Sequence, residues 1–253
     1  MATRTEVDSF GELELPKDAL FGIQTMRAIQ NLSFSGRELS QYTNYIKALA
    51  LVKKAAALAN YEVGVIELAT CNSITNACDE LIIGNYHEHF PVDILHGGGG
   101  IGTNMNVNEV IANLANEFLN EARGSYFPIQ PTDHVNASQS TADVCHTAMR
   151  IAIIRQYSLL EVVLLNLEET IEMKARQFMN VTTISRTCLQ DGMRIQLGEV
   201  FSGYAAVLKR RHEKLKKAVI ELSAINIGGT VIGSGTGAPK AYQEIVVKKR
   251  EFI

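Results

Sequence analysis

Cysteine is scarce. Four residues in a chain of 253 cannot staple a small scaffold, so a disulfide framework is excluded. Long apolar runs are missing as well: the greasiest stretch, Ser158–Leu167, is interrupted by Glu161 and falls short of the ~18–20 uncharged residues that span a bilayer. Charge of one sign does not dominate, because 24 basic against 27 acidic residues leave a net −3, and nothing global points to nucleic acid. The opening segment MATRTEVDSFGELELPKD lacks a basic region followed by an apolar one, and a secretory signal is not expected. Apolar side chains are plentiful, at 46% of residues against 20% charged, enough to bury a core and to exclude a disordered tail. The expectation is a cytoplasmic protein with reduced thiols, made of one or two domains.

Helical periodicity dominates from residue 44 onward. Residues 1–42, broken by Gly11, Pro16, Gly22 and Gly36, are strand-and-turn material or a short arm. Tyr45–Asn60 is Ala- and Leu-rich without Gly or Pro and predicts a helix. A second is expected over Val65–Ile83 and a third over Asn106–Arg123, with a loop between them holding Pro91 and the run Gly97-Gly98-Gly99-Gly100. Two long patterns follow. Ile153, Tyr157, Leu160, Leu164, Leu167 and Ile171 are spaced 4, 3, 4, 3, 4, and Leu197, Phe201, Tyr204, Leu208, Leu215, Val219 and Leu222 are spaced 4, 3, 4, 7, 4, 3. Both are near-heptad seams that other long helices must cover. After Gly228–Gly237, Pro239 opens a last short helix expected to reach Ile253. No strand alternation of any length competes, and the fold class expected is all-α, bundle-like.

Three segments carry chemistry. Gly97–Asn108 (GGGGIGTNMNVN) is either an anion cradle of bare N–H groups or a loop with Asn104 or Asn106 as helix N-cap. Asp133–Asp143 (DHVNASQSTAD) leads into the first long helix, with Ser140-x-x-Asp143 in capping-box form, so that the Ser140 and Thr141 hydroxyls lie beside unpaired N–H groups. Ser185–Gly192 (SRTCLQDG) precedes the second long helix and brings Arg186, Thr187 and Cys188, the last either buried filler or a reactive thiol. All three are expected at helix N-termini, and together they would form one anion pocket. Weaker candidates are His87-x-His89, expected in a surface loop rather than on a metal, and Lys209-Arg210-Arg211-His212 with Lys214, Lys216 and Lys217, expected on a solvated helix face.

The segments GELELPKDALFGIQTMRAIQN, IKALALVKKAAALAN, TNMNVNEVIANLANE, DHVNASQST, SRTCLQDG and INIGGTVIGSG, in this order, make the chain resemble the N-terminal half of the aspartase/fumarase superfamily, and within it the aspartate ammonia-lyases. The resemblance implies a long-helix bundle with a small irregular N-terminal region. It divides the chain into an N-terminal domain, 1–135, and the first part of the central bundle, 136–253. It implies a tetramer-like assembly whose sites draw on three subunits, and an anti-elimination from a small carboxylate substrate through a doubly charged aci-carboxylate. Ser140, Thr141 and Thr187 correspond to carboxylate contacts, and Thr103 and Asn104 join them as substrate-binding candidates. Cys188, standing where the pattern G-R-T-H-x-Q-D has histidine, is the catalytic candidate, a thiolate base or nucleophile activated by Arg186 and the following helix N-terminus, or else filler. The sequence departs from the pattern elsewhere. Ile101 and Gly102 replace the Thr-Ser of G-T-S-T-N-M-N, Ala142 replaces the Asn of S-Q-S-T-N-D, and Ser185 replaces a Gly. Ile101, Ala142 and Cys188 fall at contacts of the amine leaving group. The base loop G-S-S-x-M-P-x-K-x-N does not occur, and the closing cations Lys248-Lys249-Arg250 suit a helix end. The expectation is a split lyase subunit completed by a second-half polypeptide, with no cofactor, metal, nucleic acid or membrane. A non-catalytic or regulatory carboxylate-binding paralogue and a purely structural fragment are the alternatives.

Overall fold

The computed structural model describes residues 2–95 and 100–249, so Gly97–Gly99 of the glycine run and the end of the chain from Arg250 to Ile253 lie outside the described residues. Two antiparallel strands, β1 (Thr3–Asp8) and β2 (Gly11–Pro16), open the chain. Then come α1 (Ile23–Leu32), α2 (Thr43–Glu62), α3 (Leu68–Ile83), α4 (Ile101–Glu117), α5 (Thr141–Gln177), β3 (Thr182–Thr187), β4 (Gln190–Gln196), α6 (Leu197–Glu221) and α7 (Lys240–Val246). The molecule is a helical bundle protein, as the periodicity predicts, with two small hairpins added. Packing divides it into one unit of residues 1–152 with 225–253, and another of residues 153–224.

The first unit has the main core. α2 carries 20 residues without Gly or Pro, rich in alanine, so it forms readily and allows close approach by its neighbours. It packs on α3, and α3 on α4. Ile46, Leu49, Val52, Ile74, Leu81, Val110, Ile111 and Leu114 are all fully or almost fully buried between them. α3 ends where Gly84, at φ 110°, turns left-handed and returns its N–H to the carbonyls of Glu80 and Leu81, a conformation that glycine adopts at no steric cost. Cys71 and Cys78 lie two turns apart on the buried side of α3.

α1 is held at its start by a carboxylate from far along the chain. The N–H groups of Gly22, Gln24 and Thr25 and the Thr25 hydroxyl all donate to buried Glu109 of α4, at 2.6–3.1 Å. These are the donors a helix N-terminus leaves unpaired. Glu6 of β1 takes the Ile23 N–H at 2.9 Å and pairs with Arg4 at 2.7 Å. Gly22 is required by this closeness, since a Cβ there would overlap the Tyr126 hydroxyl.

The second unit holds α5 from Ile153 onward, the β3–β4 hairpin and α6. Within it Ile153, Leu160, Leu167, Tyr204 and Leu215 of the two expected seams are exposed, as are Val163 and Val207 beside them, whereas Tyr157 and Val219 of the seams are buried. The hairpin is a departure from the expected helix-only pattern. Its strands are short and mostly exposed on both sides, so no alternation marks them. Cys188 and Leu189, both at positive φ (47° and 63°), make the two-residue loop whose twist matches paired strands.

Glu109→Ala removes one acceptor from four donors. It is expected to lower stability by about 3 kcal/mol or more, with Glu109→Gln losing less, because buried donors left without a partner cost their full desolvation. Urea titration of the three chains checks this.

Candidate functional site

The N-termini of α4 and α5 meet. α4 starts at Ile101, five residues before the expected start, with Gly100 as N-cap at φ 96°. A Cβ at Gly100 would lie 3.1 Å from the Cys145 sulfur and 3.6 Å from Thr141 Cγ2, so both the left-handed backbone and the close approach to α5 need glycine. Neither Asn104 nor Asn106 is the N-cap. Because glycine makes the turn without a side chain, Thr103, Asn104 and Asn106 instead sit inside the first turns of α4, and all three are buried.

α5 starts at Thr141 with the expected capping geometry, using Asp in place of Glu: the Ser140 N–H donates to Asp143 Oδ1 at 2.8 Å, and the Ala142 N–H to Ser140 Oγ at 3.2 Å. Asp143 is fully buried. Its second oxygen accepts the Thr230 N–H at 3.1 Å. Asn226 donates to the Ala142 carbonyl at 3.2 Å and accepts from Thr147 at 3.3 Å. The INIGGT segment thus closes over the first turn of α5.

Beneath this junction lies a residue that the spacing analysis missed. Lys53 of α2 is fully buried. Its ammonium donates to Asn136 Oδ1 at 2.9 Å and to Gln139 Oε1 at 3.0 Å. Asn136 Oδ1 also accepts from Asn104 Nδ2 at 3.1 Å and Asn108 Nδ2 at 3.2 Å, and Asn104 Nδ2 donates on to Thr141 Oγ1 at 3.2 Å. Asn60, two turns along α2, donates to the Ala137 carbonyl at 2.8 Å, so one face of α2 grips the whole 136–139 segment. Burial pulls the Lys53 pKa down to about 7, against weaker raising effects from Cys145, Asp143 and Cys78. The signal was present: Ile46, Leu49, Lys53, Ala56 and Asn60 are spaced 3, 4, 3, 4, which puts Lys53 on the apolar stripe of its helix.

The third motif folds differently from the expectation. Thr187 ends β3 and Cys188 is in the hairpin loop, both exposed and both in the second unit, not at a helix start. Arg186 is committed to Asp191 at 3.0 Å. α6 begins at Leu197, with its N-terminus satisfied by a reciprocal box of Gln196 and Glu199. The proposed activators of Cys188 therefore have other partners within the hairpin and helix. Of the predicted site residues, the structure joins Asn104, Ser140 and Thr141 and buries Thr103 next to them in α4.

The histidines also depart from expectation. His87 is buried with Nε2 at 2.8 Å from the Leu81 carbonyl, and His89 Nδ1 accepts the Leu20 N–H at 3.3 Å, so this pair braces the core rather than decorating a surface loop. Among the described residues no group of three His, Cys, Asp or Glu side chains could hold a metal ion. His212 is buried between Tyr157 (3.2 Å) and Glu168 (2.7 Å), while Lys209, Arg210, Arg211, Lys214, Lys216 and Lys217 are exposed as expected.

A family model described as lyase matches residues 11–253. The chain belongs to the lyase family, within the aspartase/fumarase superfamily. Relatives of this chain include the aspartate ammonia-lyase of Helicobacter pylori (strain J99), 42% identical over 99% of this chain and 53% of that protein. The aspartate ammonia-lyase of Escherichia coli (strain K12) is 38% identical over 97% of this chain and 52% of that one. Among solved structures, a fumarate lyase:delta crystallin from Brucella melitensis superposes with a TM-score of 0.93 at 43% identity, covering 99% of this chain and 54% of that one. A class II fumarase from Schistosoma mansoni gives 0.88 at 31%, covering 97% and 51%. The chain spans about half the length of the relatives it matches.

The Lys53 pKa makes a signed prediction. Between about 7, the folded value, and about 10.4, the unfolded one, the unfolded chain binds a proton that the folded chain has released. Stability therefore rises with pH across this window, by up to roughly 4 kcal/mol, and the term is flat below pH 7, where both states are protonated. Lys53→Met should abolish the rise. Urea midpoints at pH 7 and pH 9.5 for parent and variant check it; parallel behaviour of the two chains would reject it.

Proposed function

We propose that this chain is the N-terminal half of an aspartate ammonia-lyase-like lyase that catalyses anti-elimination of an amine or other leaving group from a carboxylate substrate. The observation that carries this reading is the junction of two helix N-termini at which Asn104, Ser140 and Thr141 converge. Helix N-termini carry partial positive charge. Hydroxyl and amide donors fixed there stabilise a carboxylate, and stabilise still more the aci-carboxylate that forms as a proton leaves the adjacent carbon. Thr103 belongs to the same turn of α4, and Thr187 is proposed to contribute a further carboxylate contact. Relatives are named for aspartate and for fumarate; a small carboxylate is the class common to both.

The catalytic base is proposed to come from a second polypeptide carrying the G-S-S-x-M-P-x-K-x-N loop, within a tetramer-like homo- or hetero-oligomer in the cytoplasm. The exposed seams of α5 and α6 support such a partner, since apolar stripes of this length are rarely left in water. No helix among the described residues is long and apolar enough to cross a membrane. The division into an N-terminal domain, 1–135, and the first part of the bundle, 136–253, belongs to the same proposal.

A specific observation favours a second reading, a non-catalytic carboxylate-binding paralogue that assembles with a lyase. The positions expected to touch a departing amine are Ile101, Ala142 and Cys188, two without a hydrogen-bonding side chain and one with a weak thiol donor. In the catalytic reading, Cys188 acts as thiolate base or nucleophile.

Co-expression with a polypeptide bearing the base loop, followed by an elimination assay over 2-amino and 2-hydroxy acids, separates the readings: turnover supports the lyase, and carboxylate binding without turnover supports the paralogue. Thr141→Val should weaken fumarate or succinate binding by roughly 1–3 kcal/mol, and unchanged affinity would reject the site. Cys188→Ser should cost orders of magnitude in turnover, with iodoacetamide inactivating the parent; full activity in the serine variant leaves Cys188 as filler.

A further inference from the structure

A buried lysine normally faces a carboxylate. Lys53 faces two amide oxygens instead, on Asn136 and Gln139, and Asp143 acts on it only through space. An ammonium can only donate, and that fixes every proton downstream. The Asn136 atom facing Lys53 has to be the carbonyl oxygen. Asn104 and Asn108, which meet the same oxygen at 3.1 and 3.2 Å, have to present their NH2 groups to it. The second proton of Asn104 Nδ2 then points at Thr141 Oγ1, 3.2 Å away, which makes that oxygen an acceptor there and frees the hydroxyl proton to point outward. Gln139, with its oxygen on Lys53, donates its own NH2 to the carbonyls of Val135 and Ala137 at 2.9 and 3.0 Å, consistent with the same direction.

We propose that Lys53 is the positioning residue of this site: its ammonium sets the direction of the Asn136–Asn104–Thr141 hydrogen-bond chain and so turns Thr141 into a donor. The consequence, a Thr141 hydroxyl ready for a substrate carboxylate, rests on the function proposed above. Neutral Lys53 has a lone pair that can accept, so the direction is no longer forced once the proton leaves. The titratable groups that act on Lys53 are Asp143 and Cys145 on α5 and Cys78 on α3, and burial holds both thiols above their usual range. Burial moves Lys53 the other way, down to about 7, which lies between pH 6.5 and 8.5.

The test begins without a ligand. In the full chain carrying nitrogen-15 asparagine, the side-chain amide protons of Asn104 and Asn108 should exchange slowly at pH 6.5. In Lys53→Met they should exchange about tenfold faster or more, while Asn113 and Asn116, which hold the Leu20 and Ile129 carbonyls, keep their protection. Unchanged Asn104 and Asn108 signals in a folded Lys53→Met chain overturn the proposal. Should that variant not fold, Asn136→Asp decides: a carboxylate beside Lys53 raises its pKa, so the pH midpoint of the Asn104 signal should move up by about one unit or more, and an unmoved midpoint overturns the proposal. Succinate, doubly ionised above pH 6.5, then probes the consequence. Its affinity for the parent should fall about tenfold from pH 6.5 to 8.5, with no such fall in Lys53→Met. A parent chain that shows the amide signature yet binds no succinate sinks the carboxylate-site reading and leaves the Lys53 assignment standing.

Discussion

The arrangement of the first unit depends on one constraint: a lysine ammonium placed where water cannot reach it, with no carboxylate to neutralise it. Such a charge is tolerable only where fixed oxygens take its protons. Lys53 therefore dictates the conformation of the 136–139 segment, whose Asn136 and Gln139 side chains supply those oxygens. That segment runs straight into Ser140 and Thr141, so the start of α5 is tied to α2 by polar bonds as well as by packing. The same oxygen of Asn136 collects two asparagines of α4. Two helices, α2 and α4, and the segment that leads into α5 are thus joined at one carbonyl, and loosening any of them strands a buried donor.

Acidic side chains satisfy the starts of α1 and α5, from far along the chain in the first case and from within the helix in the second. α1 has no side-chain cap of its own and is held by Glu109, more than 80 residues away, together with Glu6 from β1. α5 is capped by Asp143 within its first turn, yet the other oxygen of that carboxylate is spent on Thr230. Each carboxylate therefore works twice, quenching unpaired N–H groups and docking a distant segment. At Asp143 the cap itself fixes how far the C-terminal Gly-rich stretch can move relative to the first turn of α5.

The long elements were legible because their signal is redundant: α2 is all good helix formers, and α5 and α6 repeat their apolar positions over many turns. The motifs carried the family. What stayed hidden has physical causes that can be named. Gly100 caps α4 with its backbone, so nothing in the side chains marked the start at Ile101. The β3–β4 hairpin exposes most of both faces, so its strands never alternate, and its Cys-Leu loop lacks the Asn-Gly signature of such turns. Thr187 and Cys188 were accordingly assigned to a helix start that lies at Leu197. Lys53 stands beside Lys54, which reaches an exposed partner, Asp79, so residue type does not tell the buried lysine from the surface one. Spacing along the stripe, not residue type, was the cue.

These observations divide the site into parts with different freedom to change. Asn104, Asn108, Asn136 and Thr141 are members of one donor chain anchored on a buried charge, and in such a network replacing a single member leaves the others unsatisfied at a cost comparable to a whole hydrogen bond or more. Ile101, Ala142 and Cys188 are outside it. Ile101 and Cys188 are exposed, Ala142 is half-buried, and none donates through its side chain to the Lys53 network. A residue free of the network can be replaced without collapsing it, and these three, like Gly102 and Ser185, depart from the superfamily pattern. Under the proposed function, the positions read as carboxylate contacts on α4 and α5 are thus held by the energetics of the network, whereas those read as leaving-group contacts lie free of it.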